Sequence, residues 1–333
     1  MDQQAGRSNA FSNLLRMDQS ALLIALFVIC GILSFLSPVF FSSNNIMNIL
    51  RQASPNLIAA TGMALIILSG EIDLSVGSLQ AFAGVLGVMA MNRTGSIFMG
   101  VVVTLAVGCG AGFFNGFLVT KLKLNSLIAT LGTMAIFRGV IMVITQAVSQ
   151  PIRVKGFSEI GMGSIGIFPI PLLIAILLIL FFYFVLNNTI FGRYIYAVGG
   201  NKDASTLAGL SVTRIKLMVF VVGNILFAVS AVILTSRLDS GQPIAGSGME
   251  MTVIAAVILG GVSLSGGSGS LIGAIIGVLI LNVLQNGLVL MDVNTFYHDI
   301  VRGVVIIVAV YLDVQRKASA EIRLLKESQA MLK

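Results

Sequence analysis

GEIDLSVGS, residues 70–78, places two carboxylates, Glu71 and Asp73, between two strongly apolar bands, and its reading decides the fold. The chain around it is 57% hydrophobic and 10% charged over 333 residues. Its mean hydropathy of +1.02 lies far outside the range of a soluble domain. A carboxylate near the bilayer centre costs roughly 2.5–3.5 kcal/mol on insertion scales. Such groups therefore face a bundle interior or a water-filled path. Residues 70–78 read as a polar break inside a membrane bundle, and that points to transport.

Working outward, windows of about 20 apolar residues, the length that spans a bilayer, fall clearly at 21–37, 97–120, 170–186, 217–236 and 271–291. Less clean spans lie at 46–69, 74–90, 126–145, 249–262 and 297–312, giving about ten. The stretch 249–262 is short enough to be re-entrant. Cys30 and Cys109 sit in separate spans and imply no disulfide framework. The first span lacks a small-residue cleavage pattern, so it reads as a retained helix. With the N-terminus inside, one side collects Arg7, Arg16, Lys121, Lys123, Arg193, Lys202, Arg214, Lys216 and the tail from Arg316. The other holds only Arg51, Arg93, Arg153, Lys155 and Arg237. This asymmetry places both termini in the cytoplasm, and the net charge of +7 needs no nucleic-acid partner.

No linker divides the chain, so 1–333 reads as one membrane domain. It has a cytoplasmic segment 1–19, a helical core 20–312 with an inner loop 187–214, and a polar cytoplasmic tail 313–333. Loops 146–168 and 237–248 belong outside, the latter rising toward the mouth of any pathway. LSVGS at 74–78 is echoed by LSGGS at 264–268, as in transporters with internal repeats and interrupted helices. Gly108, Gly112 and Gly116, and likewise Gly269, Gly273 and Gly277, make smooth helical faces for close packing, within the chain or between two copies.

Enzyme signatures are missing. There is one histidine, His298, which with Asp299 reads as an interfacial pair. No zinc-protease motif, nucleophile elbow or phosphate loop occurs, so the sequence offers no catalytic residue, metal site or cofactor. Asp73 reads either as a cap on the helix that follows it or, with Glu71 and Ser75, as part of a pathway. Arg138 and Arg302 interrupt two spans and are the natural partners for one of the carboxylates. Asn115 and the set Asn282, Gln285 and Asn286, the latter on one helical face, either tie helices together or line a path for a hydroxyl-rich solute. Lys202 to Leu210 reads as a short amphipathic helix after a Gly199–Gly200 turn, with Asn201 as its cap. It has no lipid to cover its apolar face, which suits a groove on a partner protein.

The blocks GMALIILSGEIDLSVGS (62–78), ATLGTMAIFRGV (129–140), GRYIYAVGGNKDASTLAGLSV (192–212) and VILGGVSLSGGSGSLIGAIIGVL (257–279) resemble the membrane permease subunits of ribose-type ABC sugar importers. The resemblance implies an all-α polytopic membrane fold of about ten transmembrane helices with vitamin B12-importer-like (type II) architecture. It implies a bacterial inner-membrane homodimer, separate ATPase subunits on the cytoplasmic face and a soluble sugar-binding protein outside. The coupling segment of that family falls on Gly192, Arg193, Gly200, Asn201, Ala204 and Gly209. Glu71 departs from the glycine usual before Ile-Asp-Leu-Ser. The expectation is alternating access for a monosaccharide such as ribose, with Glu71, Asp73, Ser75, Asn115, Arg138, Asn282 and Asn286 as pathway or gating candidates. Rival readings are an ion-coupled secondary transporter using Glu71 and Asp73, a membrane-embedded enzyme, and an assembly protein without a solute.

Overall fold

A computed structural model describes residues 3–294 and 296–331, with side chains described for 19–294, 297–311 and 313–315. Residues 1–2, 295 and 332–333 lie outside it, as do the side chains of Arg7, Arg16 and the basic residues from Arg316 onward on which the charge asymmetry partly rests. The order is α1 (Gln3–Leu36), α2 (Ser43–Leu68), α3 (Val76–Thr94), α4 (Ile97–Thr120), α5 (Ser126–Thr145), β1 (Gln150–Pro151), α6 (Ser158–Met162), β2 (Ser164–Ile165) and β3 (Phe168–Pro169). There follow α7 (Ile170–Asn188), α8 (Ile190–Gly200), α9 (Lys202–Leu207), α10 (Val212–Leu238), β4 (Ser240–Gly241), α11 (Met249–Leu259), α12 (Leu271–Leu290) and α13 (Phe296–Met331). Each of the ten apolar stretches read from the sequence carries a helix. Six of them, α1, α4, α5, α7, α10 and α12, are long and apolar enough to cross a membrane.

Helix starts are set by short polar side chains. Ser42, Ser96, Asn125, Thr189 and Asn201 each accept backbone N–H groups at the heads of α2, α4, α5, α8 and α9. Burial then sorts the helices into two shells. Only 28% of α4, α5 or α7 is buried, against 61% of α10 and α12, and the exposed remainder is rich in Phe, Leu, Ile and Val. That outer surface suits lipid. α2 is enclosed from Ala53 to Leu68 and α3 over most of its length. Enclosure explains why these two fall short of the apolarity of a lipid-facing span: neighbours, not hydrocarbon, surround Asn45, Ser54, Ser78 and Gln80.

Small residues set how closely the helices approach. Gly108, Gly112 and Gly116 on α4 lie against Asn224, Phe220 and Leu217 on α10, where added Cβ atoms would collide. This stripe is therefore used within the chain, not for a second copy. Gly273 and Gly277 on α12 meet Gly260 and Ala256 at the end of α11, whereas Gly269 lies in the loop before α12 and packs on Val262.

One loop differs from the sequence reading. Residues 239–248 do not stay at an outer mouth. After β4 pairs antiparallel with β1, the backbone runs back along α3, from Gly241 beside Val85 and Val88 to Gly246 beside Gly77 and Gln80. Glycine permits this approach, since a side chain at Gly246 would need a positive φ and would strike Gly77. α11 thus begins deep in the bundle and is only about 16 Å long, 11 residues at about 1.5 Å each.

Candidate functional site

The break after α2 is held by a backbone and side-chain network. Gly70, at φ +82, turns the chain, and the freed amides find hydroxyls at the head of α5. Ile72 N–H donates to Ser126 Oγ (3.3 Å), and Leu74 N–H donates to Thr130 Oγ1 (3.0 Å). Ser126 and Thr130 lie one turn apart on the same face. Non-helical backbone is tolerated at such depth only when its polar groups are satisfied in this way.

Asp73 is fully buried beneath the break. Its Oδ1 accepts from the Ser75 N–H (2.8 Å) and hydroxyl (2.6 Å). Its Oδ2 accepts from Asn115 Nδ2 on α4 (3.1 Å) and Asn224 Nδ2 on α10 (2.8 Å). Asn115 also donates to Ser75 Oγ (3.0 Å). Asp73, Ser75 and Asn115 are thus brought together, with Asn224 added. Charge-assisted bonds of this kind, not a cation, offset the desolvation of the carboxylate. The N-cap of α3 is Ser75, whose side chain caps nothing, so Asp73 serves the turn just before the helix.

Glu71 pairs with Lys216 of α10, Nζ to Oε1 at 2.5 Å, with side chains only 15% and 10% exposed. This corrects the expectation that Arg138 or Arg302 neutralises a carboxylate of the break. Arg138 Nη1 instead donates to the carbonyls of Pro243 (2.5 Å) and Ala245 (3.0 Å) in the descending loop. Arg302 Nη1 donates to Asp299 (3.0 Å). Among the described residues no bond joins His298 to Asp299, and its Nε2 is buried without a partner there. Asn282 and Asn286 tie α12 to α2: Asn56 Nδ2 donates to Asn282 Oδ1 (2.9 Å), while Asn45 and Asn286 exchange bonds of 3.0 and 2.8 Å.

The second echo, at 264–268, meets the break that precedes the first. Gly267 N–H donates to the carbonyl of Leu68 (2.9 Å), and Gly266 lies against Gly70. Into the same spot comes the end of α8. Gly199 fits so closely against Leu68 and Gly267 that a Cβ would overlap both, and Gly200 faces Gly267. These two glycines belong to the last turn of α8; the bend itself falls at Asn201. Tyr196 of α8 adds a bond from its hydroxyl to the Gly269 carbonyl (3.2 Å), and burial, with Tyr183 nearby, raises its phenol pKa above the ordinary value.

α9 is shorter than read, ending at Leu207 with Gly209 at φ +83 just beyond. Asn201 Oδ1 accepts from the Ala204 N–H (2.8 Å). Ser205 is buried, Ala204 and Ala208 are exposed, and Leu207 is 90% exposed. Of the remaining coupling candidates, Gly192 is buried against the Val185 and Leu186 carbonyls and Arg193 is exposed. The sequence reading overlooked Lys216, Asn224 and Glu250. Asn224, an amide in the middle of an apolar span, was the visible signal among them.

A helical membrane bundle with interrupted helices and a helical hairpin at one end is the frame of a transporter subunit. The chain belongs to the family described as branched-chain amino acid transport system / permease component, whose model matches residues 45–310. It is similar to the ribose import permease protein RbsC of Haemophilus influenzae, 43% identical over 87% of this chain and 91% of that protein. RbsC of Bacillus subtilis is 43% identical over 89% of this chain and 92% of its own. The L-arabinose transport system permease protein AraH of Escherichia coli is 37% identical over 89% and 90%. No solved structure matches the chain.

Proposed function

We propose that the chain is the membrane-spanning permease subunit of an ABC importer that moves a monosaccharide, an aldopentose of the ribose type, across the bacterial inner membrane. ATP hydrolysis is supplied by separate subunits and the sugar by a soluble binding protein. All ten apolar helices cross or enter the bilayer in this reading, with α8 and α9 in the cytoplasm, both termini inside, and two copies forming the pathway in a vitamin B12-importer-like arrangement.

One observation carries the mechanism. The last turn of α8 is seated by glycine contact on both helix breaks, while α9 beside it presents Leu207, Ala204 and Ala208 to water. A six-residue helix with an uncovered apolar face fits a cleft on an ATPase subunit. Movement of that subunit would then reach the α2–α3 and α11–α12 joints through backbone. Ion coupling is disfavoured on the geometry, since Glu71 is neutralised by Lys216 and Asp73 already accepts four hydrogen bonds.

The experiment is reconstitution of the permease in liposomes with its ATPase subunits and binding protein. Uptake of D-ribose, L-arabinose, D-xylose or D-galactose should require ATP and should stop in Ala204→Trp without loss of permease. Uptake driven by a proton or sodium gradient with ATP absent overturns the reading.

A further inference from the structure

Between α3, α5 and the head of α11 lies a cavity of about 220 Å³, lined by Ser78, Met134, Ala135, Arg138, Glu250 and the Ser247–Gly248 backbone turn. A single water needs only about 10–15 Å³ on this measure, so the space fits a ring-sized solute. Its position is unusual. Ser78 is in the first turn of α3, and Glu250 is in the first turn of α11, the half-length helix that starts deep in the bundle. Solute sites of transporters form where interrupted helices end within the membrane.

The lining has the chemistry of a sugar. A hydroxyl both donates and accepts, and here a guanidinium donates and a carboxylate accepts, as do Ser78 and Ser247, whose own protons go to the Ser75 and Ile244 carbonyls. Met134 and Ala135 offer apolar surface to the C–H face of a ring. The charges of Arg138 and Glu250 cancel, so a neutral solute leaves neither uncompensated. Arg138 is fixed by the Pro243 and Ala245 carbonyls, yet its Nη1 is only one of two terminal nitrogens. Among the described residues no hydrogen-bond donor contacts the Glu250 carboxylate; Arg138 acts on it only at longer range. The cavity opens beside Ala135 and Ser247, both exposed, on the face of α5 where Gly132 and Gly139 have nothing within 4 Å of a Cβ position. A charge pair opening on that face must turn toward water or a second copy, since hydrocarbon would penalise it.

We propose that this cavity is a transient sugar-binding station on the translocation path, with Glu250 accepting and Arg138 donating hydrogen bonds to the hydroxyls of the solute. The proposal rests on the importer reading and adds the site that the solute occupies in transit. Both variants test it in the complete reconstituted importer, at saturating sugar-loaded binding protein so that recognition outside the membrane drops out. Glu250→Gln keeps the shape and removes the charge; Ser247→Leu fills the cavity from the other wall.

The probes are D-ribose, L-arabinose, D-xylose, D-galactose, their deoxy analogues, and L-leucine. Each variant should lose at least about tenfold in uptake of the sugar that the wild type moves, while binding protein still stimulates ATP hydrolysis. For Glu250→Gln the loss should shrink for the deoxy analogue that lacks the hydroxyl facing residue 250, an effect that a purely structural role would not produce. Wild-type uptake by both folded variants overturns the station, as does an equal loss for Glu250→Gln on every analogue with Ser247→Leu unimpaired. If Glu250→Gln does not fold, Ser247→Leu alone decides. A wild type that moves L-leucine and none of the sugars overturns the importer reading instead, which separates the two failures.

Discussion

Removing Lys216 should destabilise the bundle far more than removing its partner. In Lys216→Met, Glu71 keeps a charge on a side chain only 15% exposed and loses its single salt bridge, 2.5 Å long. Stripping one member from a buried pair costs about 3–5 kcal/mol, and the residual exposure of Glu71 argues for about 3. Glu71→Gly leaves a lysine near the start of α10, at Val212. Although Lys216 is itself only 10% exposed in the pair, its long stem can carry the ammonium out to water once Glu71 no longer holds it, so the cost falls toward the roughly 0–1 kcal/mol of a surface pair. The double variant should resemble Glu71→Gly, giving a coupling of about 2–3 kcal/mol in the cycle, within the range for residues in contact. The assay is unfolding in mixed detergent and sodium dodecyl sulfate micelles followed by circular dichroism, with all four proteins under one condition. A loss of about 3 kcal/mol is roughly a hundredfold in the unfolding equilibrium. Equal costs for the two single variants, adding in the double, would refute the assignment of Lys216 as the buried counter-ion.

Gly199→Ala should fail to accumulate as folded permease because its Cβ meets the Leu68 carbonyl and the Gly267 nitrogen, whereas Gly200→Ala, 3.8 Å from Gly267 Cα, should accumulate normally; size-exclusion profiles in detergent distinguish them. Leu207→Asp should abolish co-purification of the ATPase subunits at unchanged permease abundance, since Leu207 is 90% exposed and holds nothing within the chain. Asp73→Leu should cost more stability than Asp73→Asn, which keeps one oxygen either for Ser75 or for the Asn115 and Asn224 amides, and detergent melts should rank them so. For Tyr196 burial holds the folded phenol above its ordinary range, so its contribution is complete below the ordinary tyrosine value and is lost as pH rises through the folded one; Tyr196→Phe should remove that alkaline loss from a pH series of melts.

Much of the fold was legible because hydropathy at a period of about 20 residues is set by the bilayer, independent of how helices pack. The break at 70–78 and the cap at Asn201 were legible for local reasons: glycines, hydroxyls and an amide at fixed offsets. What escaped depends on contacts between distant segments. Lys216 sits beside Arg214 and reads as a loop charge; only the packing of α10 under the break buries it. The segment 239–248 has the Gly, Ser and Pro of a surface turn, and nothing in those residues announces that Gly246 will meet Gly77. Glu250 falls within the short span 249–262 with nothing local to single it out, and only that descent carries it inward.

The junction under α8 is built from glycine, and that has a mechanical consequence. Two non-helical stretches, 69–75 and 263–269, and the last turn of α8 touch through Gly70, Gly199, Gly200, Gly266 and Gly267, with the Gly267–Leu68 hydrogen bond at the centre. A contact between side chains can absorb a shift of an ångström by changing rotamer. Backbone packed on backbone has no such freedom, and close-packed interiors transmit strain. Displacing α8 must therefore either break the Gly267–Leu68 bond or carry both joints along. The second course moves the start of α3 and the loop before α12 together, and α3 carries Ser78 at the wall of the cavity. Alanine or serine at Gly199, Gly266 or Gly267 could not fit at these distances, and a junction padded with long side chains would yield before it pushed.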